Sequence, residues 1–535
     1  MPLILSVRFP TERYVAATMT RRDEVEWPPH PARLVLGLLA AHHLGDTISS
    51  ERAALQWLCE QPSPELILPP SATISIDEKM PVFVPQNTGA ELTGDDKLRK
   101  LRKMHYPAGR SFPTLRFSSD QPEIIFHWPD ADPDAETRAA LSSLVRKLVR
   151  LGHSSSLVMA ALVEEIPPGE WQRLMPQSAG DPGTPDHRLR VPWDGLLESA
   201  ERAYDANGRE AELAAAFKRR DDAAARNRPL TKFDASPRGR YDAKHVTCGY
   251  TLKTSEATHP GPWEAGLCIL RRTGGDTLGL ESTWQIASVL HRTILDRWSR
   301  NPSLGPVPAW ISGHEAAAGG GSTGPVRHNH LAMFPLAHVD SLHASGRLLG
   351  IGFAIPRAVT VGSDRATLRL QWRQLLSCLF ENEKLVLTPL DHAWSLELGL
   401  ADGEEGRAAL QPSRWNAEAT EWQSVTPIIL DRHPKPAFAK NPMAWRASCE
   451  EIITETCVRL GLPAPTSVLP SVRSLMSGSL PAPAFAAPEQ RPGRPARFHI
   501  HATITFPEKV AGPLLIGAGR FRGYGLMKPS PNKLS

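Results

Sequence analysis

Long apolar runs are missing from this 535-residue chain, and none approaches the length that a membrane-spanning helix needs. Paired cysteines are missing as well. Cys59, Cys248, Cys268, Cys378, Cys449 and Cys457 are scattered with no C-x-x-C among them, which disfavours a zinc ribbon or a disulfide framework and suits a reducing cytoplasm. A strong charge of either sign is also absent: 61 Lys and Arg stand against 57 Asp and Glu, a formal +4. Only local clustering of charge can therefore point to a partner. The opening MPLILSVRFP has too few apolar residues before Arg8 and no small-residue cleavage site, so it reads as a buried strand and not as a leader.

The familiar nucleotide loops are lacking too. The stretch GPLLIGAGRFRGYGLMKP carries glycines beside Arg520, Arg522 and Lys528, a composition that favours anions through close backbone approach and bare amides. Gly517, Gly519 and Gly523 nevertheless read G-x-G-x-x-x-G, not the dinucleotide spacing, and Pro529 and Pro531 follow where a crossover helix would have to start. No G-K-S/T follows either, so a P-loop is excluded. The histidines form pairs at His328/His330, His499/His501 and His42/His43, but no H-E-x-x-H or carboxylate-histidine spacing accompanies them. Neither a metal nor another cofactor is expected.

What the sequence does contain is a mixed rhythm. LILSVRF, ATISI, MPVFVP and EIIFHW read as strands, and PARLVLGLLAAHHL and ETRAALSSLVRKLVRLGHSS as helices. Between Pro192 and His245 the composition turns alanine-rich and charged, then polar with proline and glycine, which marks a solvated helix and a linker. Beyond it HVTCGYTL, GLCILRR, HNHLAMFPL, LLGIGFAIP and FHIHATITF read as strands, around helices in STWQIASVLHRTILDRWSR and PMAWRASCEEIITETCVRLGL. The expected fold is α+β: tandem ferredoxin-like βαββαβ units with a C-terminal glycine-rich loop. The expected domains are 1–191, a linker at 192–245, and 246–535.

Three places invite chemistry. ISGHEAAAGGGSTGPVRHNHLAMFPL sets His314 in a glycine-rich loop, with His328 and His330 at alternate positions of a strand beyond it, where they would share a face. A histidine there suits acid-base work; the plainer reading is a solvated neighbour of a surface tip. Arg99, Lys100, Arg102, Lys103 and Arg110 form a basic run with Tyr106 beside it, suited to phosphates and a stacked base, or simply to solvent. In the glycine loop, Gly517, Gly519, Arg520, Arg522, Gly523, Gly525 and Lys528 combine amides with cations, which fits an extended phosphate backbone better than a buried cofactor.

Taken in order, RFPTERYVAA, EWPPHPARLVLGLLAA, RLGHSSSLV, ISGH with HNHLAMFPL, GRLLGIGFAIPR, SVTPIILDRHPK and GPLLIGAGRFRGYGLMKP resemble the RAMP superfamily of CRISPR-associated RNA-binding proteins. They look most like the fused fifth-and-sixth-family Cas subunit of type I-G (formerly I-U) systems. The resemblance implies that the N-terminal half binds the 5′ handle of crRNA in a Cascade-type complex, touching target DNA only through that complex. It implies that the C-terminal half cuts precursor crRNA without metal, the 2′-OH attacking the neighbouring phosphate to leave a 2′,3′-cyclic phosphate and a 5′-OH. His314 is then the expected base, with His330 or His328 as acid or phosphate ligand; His291, His433 and the His499/His501 pair remain candidates. A non-catalytic crRNA scaffold and a histidine-metal hydrolase are the alternatives.

Overall fold

The computed structural model describes residues 2–19, 21, 23–84, 108–118, 122–178, 181, 183–204, 206–226, 245–253, 260–264, 266–316, 322–326, 328–362, 365–380, 383–401, 407–486 and 497–530. It is a mixed helix and antiparallel-sheet protein, and the chain divides into two compact units. One is Met1–Pro176 with Leu189–Cys248, the other Gln177–Arg188 with Gly249–Ser535.

In the first unit, β1 (Leu3–Arg8) is followed by helices α1 (Pro31–Leu44) and α2 (Ser49–Glu60), then β2 (Glu65–Leu68), β3 (Glu123–Trp128), α3 (Ala135–Arg146), β4 (Met159–Val163) and β5 (Gln172–Pro176). These strands lie side by side as β4-β1-β3-β2-β5, each neighbour antiparallel. The sequence explains the elements locally. Pro31 sits in the first turn of α1, where its missing N–H costs nothing, and Leu34, Val35, Leu38 and Leu39 make the buried stripe. Asp134 caps α3 by accepting from the Thr137 amide at 2.7 Å.

A separate sheet of three strands has Ala108–Phe117 between Arg13–Val15 and Ile74–Val84. ATISI and MPVFVP, expected as two strands, are thus one. Helix α3 ends at Arg146, short of the expected RLGHSS, because the chain turns at Gly152, whose φ is +96°. A Cβ at Gly152 would stand 2.6 Å from the Val15 carbonyl, so the turn packs where only glycine fits. Glu26 of the EWPPHPAR motif is buried and held by Arg33 and by Arg190 at 2.6 Å. Burial opposes its charge, yet the Arg33 hydrogen bond and the charges of His30, Arg33 and Arg190 hold its pKa at about 2. The alanine-rich stretch forms two helices, Leu196–Tyr204 and Ala206–Ala225.

The second unit contains two sheets of similar plan. First come β6 (Cys268–Gly275), α4 (Thr283–Ser299), β7 (Ala332–Ala337), β8 (Leu348–Ala354), α5 (Arg365–Leu379), β9 (Leu385–Leu387) and β10 (Leu396–Leu400). Their antiparallel order is β7-β8-β6-β10-β9. Then come β11 (Glu418–Ser424), β12 (Ile428–Ile429), α6 (Pro442–Arg459), β13 (Ser467–Ser471), β14 (His499–Ala511), β15 (Leu514–Leu515) and β16 (Leu526–Pro529). Here the order is β12-β14-β11-β16-β15, with β13 also paired to β14. In both halves the first strand is central. Where the first half has α5 before both closing strands, the second has the short β15 and then the glycine stretch before β16, folded as a short 3-10 turn at Arg520–Arg522.

Each half has its own core, Leu290, Phe353 and Trp372 in one and Trp422, Ile453 and Ile504 in the other. A third cluster joins them through Phe334, Trp415, Leu515 and Tyr524. It is this shared core that seats the glycine turn of the second half on β7 and α4 of the first. Gly523 has a φ of +79°, and a Cβ there would meet Pro335 Cδ and Thr283 Cγ2, both at 2.9 Å. A side chain at Gly523 would therefore lift the turn away from β7.

Candidate active site

The seating of that turn brings distant residues together. On α4, Ile286, Leu290, Ile294 and Trp298 form the buried stripe, and His291 lies beside it, only 9% exposed. Each buried apolar neighbour contributes roughly 1.5–3 kcal/mol, against about 1–3 kcal/mol for an unpaired buried polar group. The stripe therefore holds His291 where its own chemistry would not place it. Its Nε2 has no hydrogen-bond partner among the described residues. Burial lowers its pKa to about 3, helped by the charge of Arg522 and opposed by a bond with the Ser312 backbone.

After α4 the chain makes a short helical turn, Ala309–Ser312, closed by Gly313 at φ +75°. The imidazole of His330 lies against that glycine: a Cβ would fall 2.9 Å from His330 Nε2. The Leu331 amide donates to the Trp310 carbonyl at 2.6 Å, fixing the segment that carries His330. On its other side His330 stacks on Phe521 of the glycine turn, centroids 3.6 Å apart and planes at 25°. Its Nδ1 is buried with no partner among the described residues. Burial, then the charges of Arg522, His291 and Arg520, push its pKa down to about 3, so the ring is neutral at pH 7.

Two arginines complete the cluster. Arg520 lies over Phe521 at 4.3 Å and donates to Asn329 Oδ1 at 3.2 Å and to the Gly517 carbonyl at 3.1 Å. Arg522 is less committed. Its Nη1 is buried and has no partner among the described residues, and burial lowers its pKa to about 10. A guanidinium withdrawn from water without a counter-charge is costly, and the charge of this one bears on two imidazoles that also lack partners for a ring nitrogen.

His314 and His328 flank this cluster and are exposed. His314 does not sit in an open loop: it begins a hairpin, Ser312 Oγ accepting its amide at 3.1 Å, with His314 opposite Pro325. Its charge contributes to the depressed pKa of both His291 and His330. The common face expected for His328 and His330 is absent because the strand starts only at Ala332, after both. His330 is turned inward and His328 outward.

The glycines expected to form an amide cradle are packed against protein atoms. Gly517, Gly519, Gly523 and Gly525 are buried. A Cβ at Gly519 would meet Ile429 Cδ1 at 2.5 Å, and one at Gly525 the Ile516 carbonyl at 1.8 Å. Several amides of the stretch are engaged inside the protein: Ala518 donates to Ile429, Arg522 and Tyr524 to Gly519, and Gly525 to Pro427. The glycines let the loop pack closely with Arg520 and Arg522 between them. Lys528 is set apart, buried in β16 and paired with Asp340. Arg99, Lys100, Arg102 and Lys103 lie outside the described residues, and Arg110 falls within the strand Ala108–Phe117.

Other histidines are structurally engaged. His499 and His501 bond the carbonyls of Ala482 and Leu480, each at 2.9 Å, His42 faces Glu51, and His433 is exposed. Among the described residues no group of three or more His, Cys, Asp or Glu side chains is arranged to hold a metal ion, and no helix is long and apolar enough to cross a membrane.

The fold and cluster define an α+β protein with a half-buried, cationic histidine site that an anionic group would complete. The family model described as CRISPR-associated protein, GSU0054 family, matches residues 11–529, and the chain belongs to that family of CRISPR-associated proteins. None of the curated proteins matches it.

Proposed function

We propose that this chain is the type I-G fusion of a crRNA 5′-handle-binding subunit with a precursor-crRNA endoribonuclease, retained in a cytoplasmic Cascade-type complex with other Cas subunits. The observation that carries the reading is the convergence of three buried nitrogens without a partner among the described residues, His291 Nε2, His330 Nδ1 and Arg522 Nη1, on groups whose charges bear on one another. A scissile phosphate with its neighbouring 2′-OH supplies what they lack, an acceptor for the guanidinium and a donor for an unprotonated ring nitrogen. The strand orders give further support. β1 lies between the strands on either side of α3, and β6 between the strands on either side of α5; β11 lies between β14 and β16, and the chain runs from β14 to β16 through the short β15 and the glycine turn. The first strand of a ferredoxin-like βαββαβ unit has the same place, between the strands that flank the second helix. Residues 1–191 form the handle-binding domain, 192–245 the connection, and 246–535 the processing domain.

The chemistry follows from the geometry. His330, neutral and partly shielded, accepts the proton of the attacking 2′-OH, and the O2′–P bond forms as the P–O5′ bond breaks. His314, open to solvent, gives the leaving 5′-oxygen its proton. Arg522 donates to the charge that develops on phosphate, and Arg520 holds the strand beside Phe521; His291, whose ring already bonds the Ser312 backbone, donates through Nε2 only once the bound anion has raised it to the imidazolium. This arrangement exchanges the base role first expected of His314 with His330, because the buried ring is the one kept unprotonated.

A 2′-deoxy substitution at the nucleotide upstream of the cleavage position tests the reaction. Cleavage is expected to stop while binding of the repeat RNA persists; continued cleavage of the deoxy substrate would refute 2′-OH attack.

A further inference from the structure

A basic concavity opens at the far end of β7. His330 precedes this strand and His338 follows it, eight residues on, or roughly 25 Å at strand rise. There a cavity of about 640 Å³ is lined by Arg347, Arg407, Arg414, Lys528 and Asp340 over the indole of Trp415. Lys528 and Asp340 neutralise one another. Asp340 is held at φ +59°, a left-handed conformation that a non-glycine residue adopts only at a cost. The three arginines are exposed and enter no ion pair among the described residues. Trp415 is only 1% exposed and donates to the Ala409 carbonyl at 2.9 Å, so it offers no face for a base. The His338 ring is likewise engaged, by Ser341 and Ser345.

Guanidinium groups around a cavity without an accessible ring suit phosphate and not a nucleobase. We propose that Arg347, Arg407 and Arg414 form a second phosphate-binding site, separate from the histidine cluster. It takes the backbone of an RNA strand or a free oligophosphate. The strand source rests on the RNA reading above; the phosphate chemistry does not.

The test uses the full chain with Arg347→Gln, Arg407→Gln and Arg414→Gln combined, and the three Arg→Lys changes combined as the charge-retaining control. Binding of a labelled CRISPR repeat RNA is measured across a salt series, and tripolyphosphate binding by calorimetry; neither needs cleavage. If the pocket holds a strand, the glutamine variant loses about tenfold or more in low-salt affinity. Its log-log salt slope also becomes shallower by about 2, because each of the three arginines no longer neutralising a phosphate removes roughly 0.7, and the lysine variant largely retains both. If it holds a free anion, RNA binding is unchanged, but wild type binds tripolyphosphate and the glutamine variant does not. An unchanged salt slope together with no tripolyphosphate binding by wild type overturns the proposal.

Discussion

Replacing His330 with alanine is expected to lower the single-turnover rate of repeat-RNA cleavage by about 10²–10⁴-fold, the loss typical of a missing general acid or base, with RNA affinity nearly unchanged. The ring is held between Gly313 and Phe521, so alanine also removes packing, and a fall in rate would not by itself separate the two roles. His330→Phe does. It preserves an aromatic ring to stack on Phe521 but carries no nitrogen, and it is expected to be as inactive as alanine. A phenylalanine variant that cleaves at the wild-type rate would make His330 a packing residue and return the base role to His314. The pH profile adds a second readout. Burial and neighbouring cations depress the His330 pKa, and a bound phosphate, being an opposite charge, raises it. The rate should fall with acidification at a higher pH than the free protein's value near 3 would give.

Arg522→Met should separate function from stability. The guanidinium is buried with one nitrogen unpartnered among the described residues, so a methionine of similar reach removes a desolvation penalty. The variant is expected to gain about 1–3 kcal/mol in urea unfolding. Its cleavage rate is expected to drop about 10²–10³-fold, the usual consequence of deleting one donor to a developing oxyanion. A stability gain with lost activity is what a residue kept for a substrate's charge predicts. A variant that is both less stable and fully active would mean that Arg522 serves the fold.

How far the fold and the site are legible in the sequence depends on the distance over which each feature is decided. Helix α4 is written locally, in Ile286, Leu290, Ile294 and Trp298, and its spacing reads correctly as a helix. Helix α5 is absent from the sequence reading even though Leu368, Trp372, Leu375 and Leu379 follow helical spacing, a signal that would have found it. β9 and β12, three and two residues long, carry no period to read. The site is harder still. His314, His328 and His330 draw attention as neighbours in a glycine-rich segment, but burial sorts them, turning His330 inward and leaving the others outside. Arg520 meets Asn329 across 191 residues of chain, a contact that exists because Gly523 lets the turn lie on β7. His291 looks like one polar residue on an apolar face, and nothing local marks its free nitrogen. The glycines do allow close approach, as their composition suggests; what approaches them is Ile429, Ile516 and Pro335, and the groups proposed to face a ligand are the arginines between them.

The most direct measurement is incubation of the purified chain with end-labelled CRISPR repeat RNA in excess EDTA, followed by identification of the product ends. A single cut that leaves a 2′,3′-cyclic phosphate and a 5′-OH is the predicted result. RNA that is bound but remains intact would contradict the account in favour of a crRNA scaffold, and cleavage that EDTA abolishes would contradict it in favour of a metal-dependent hydrolase.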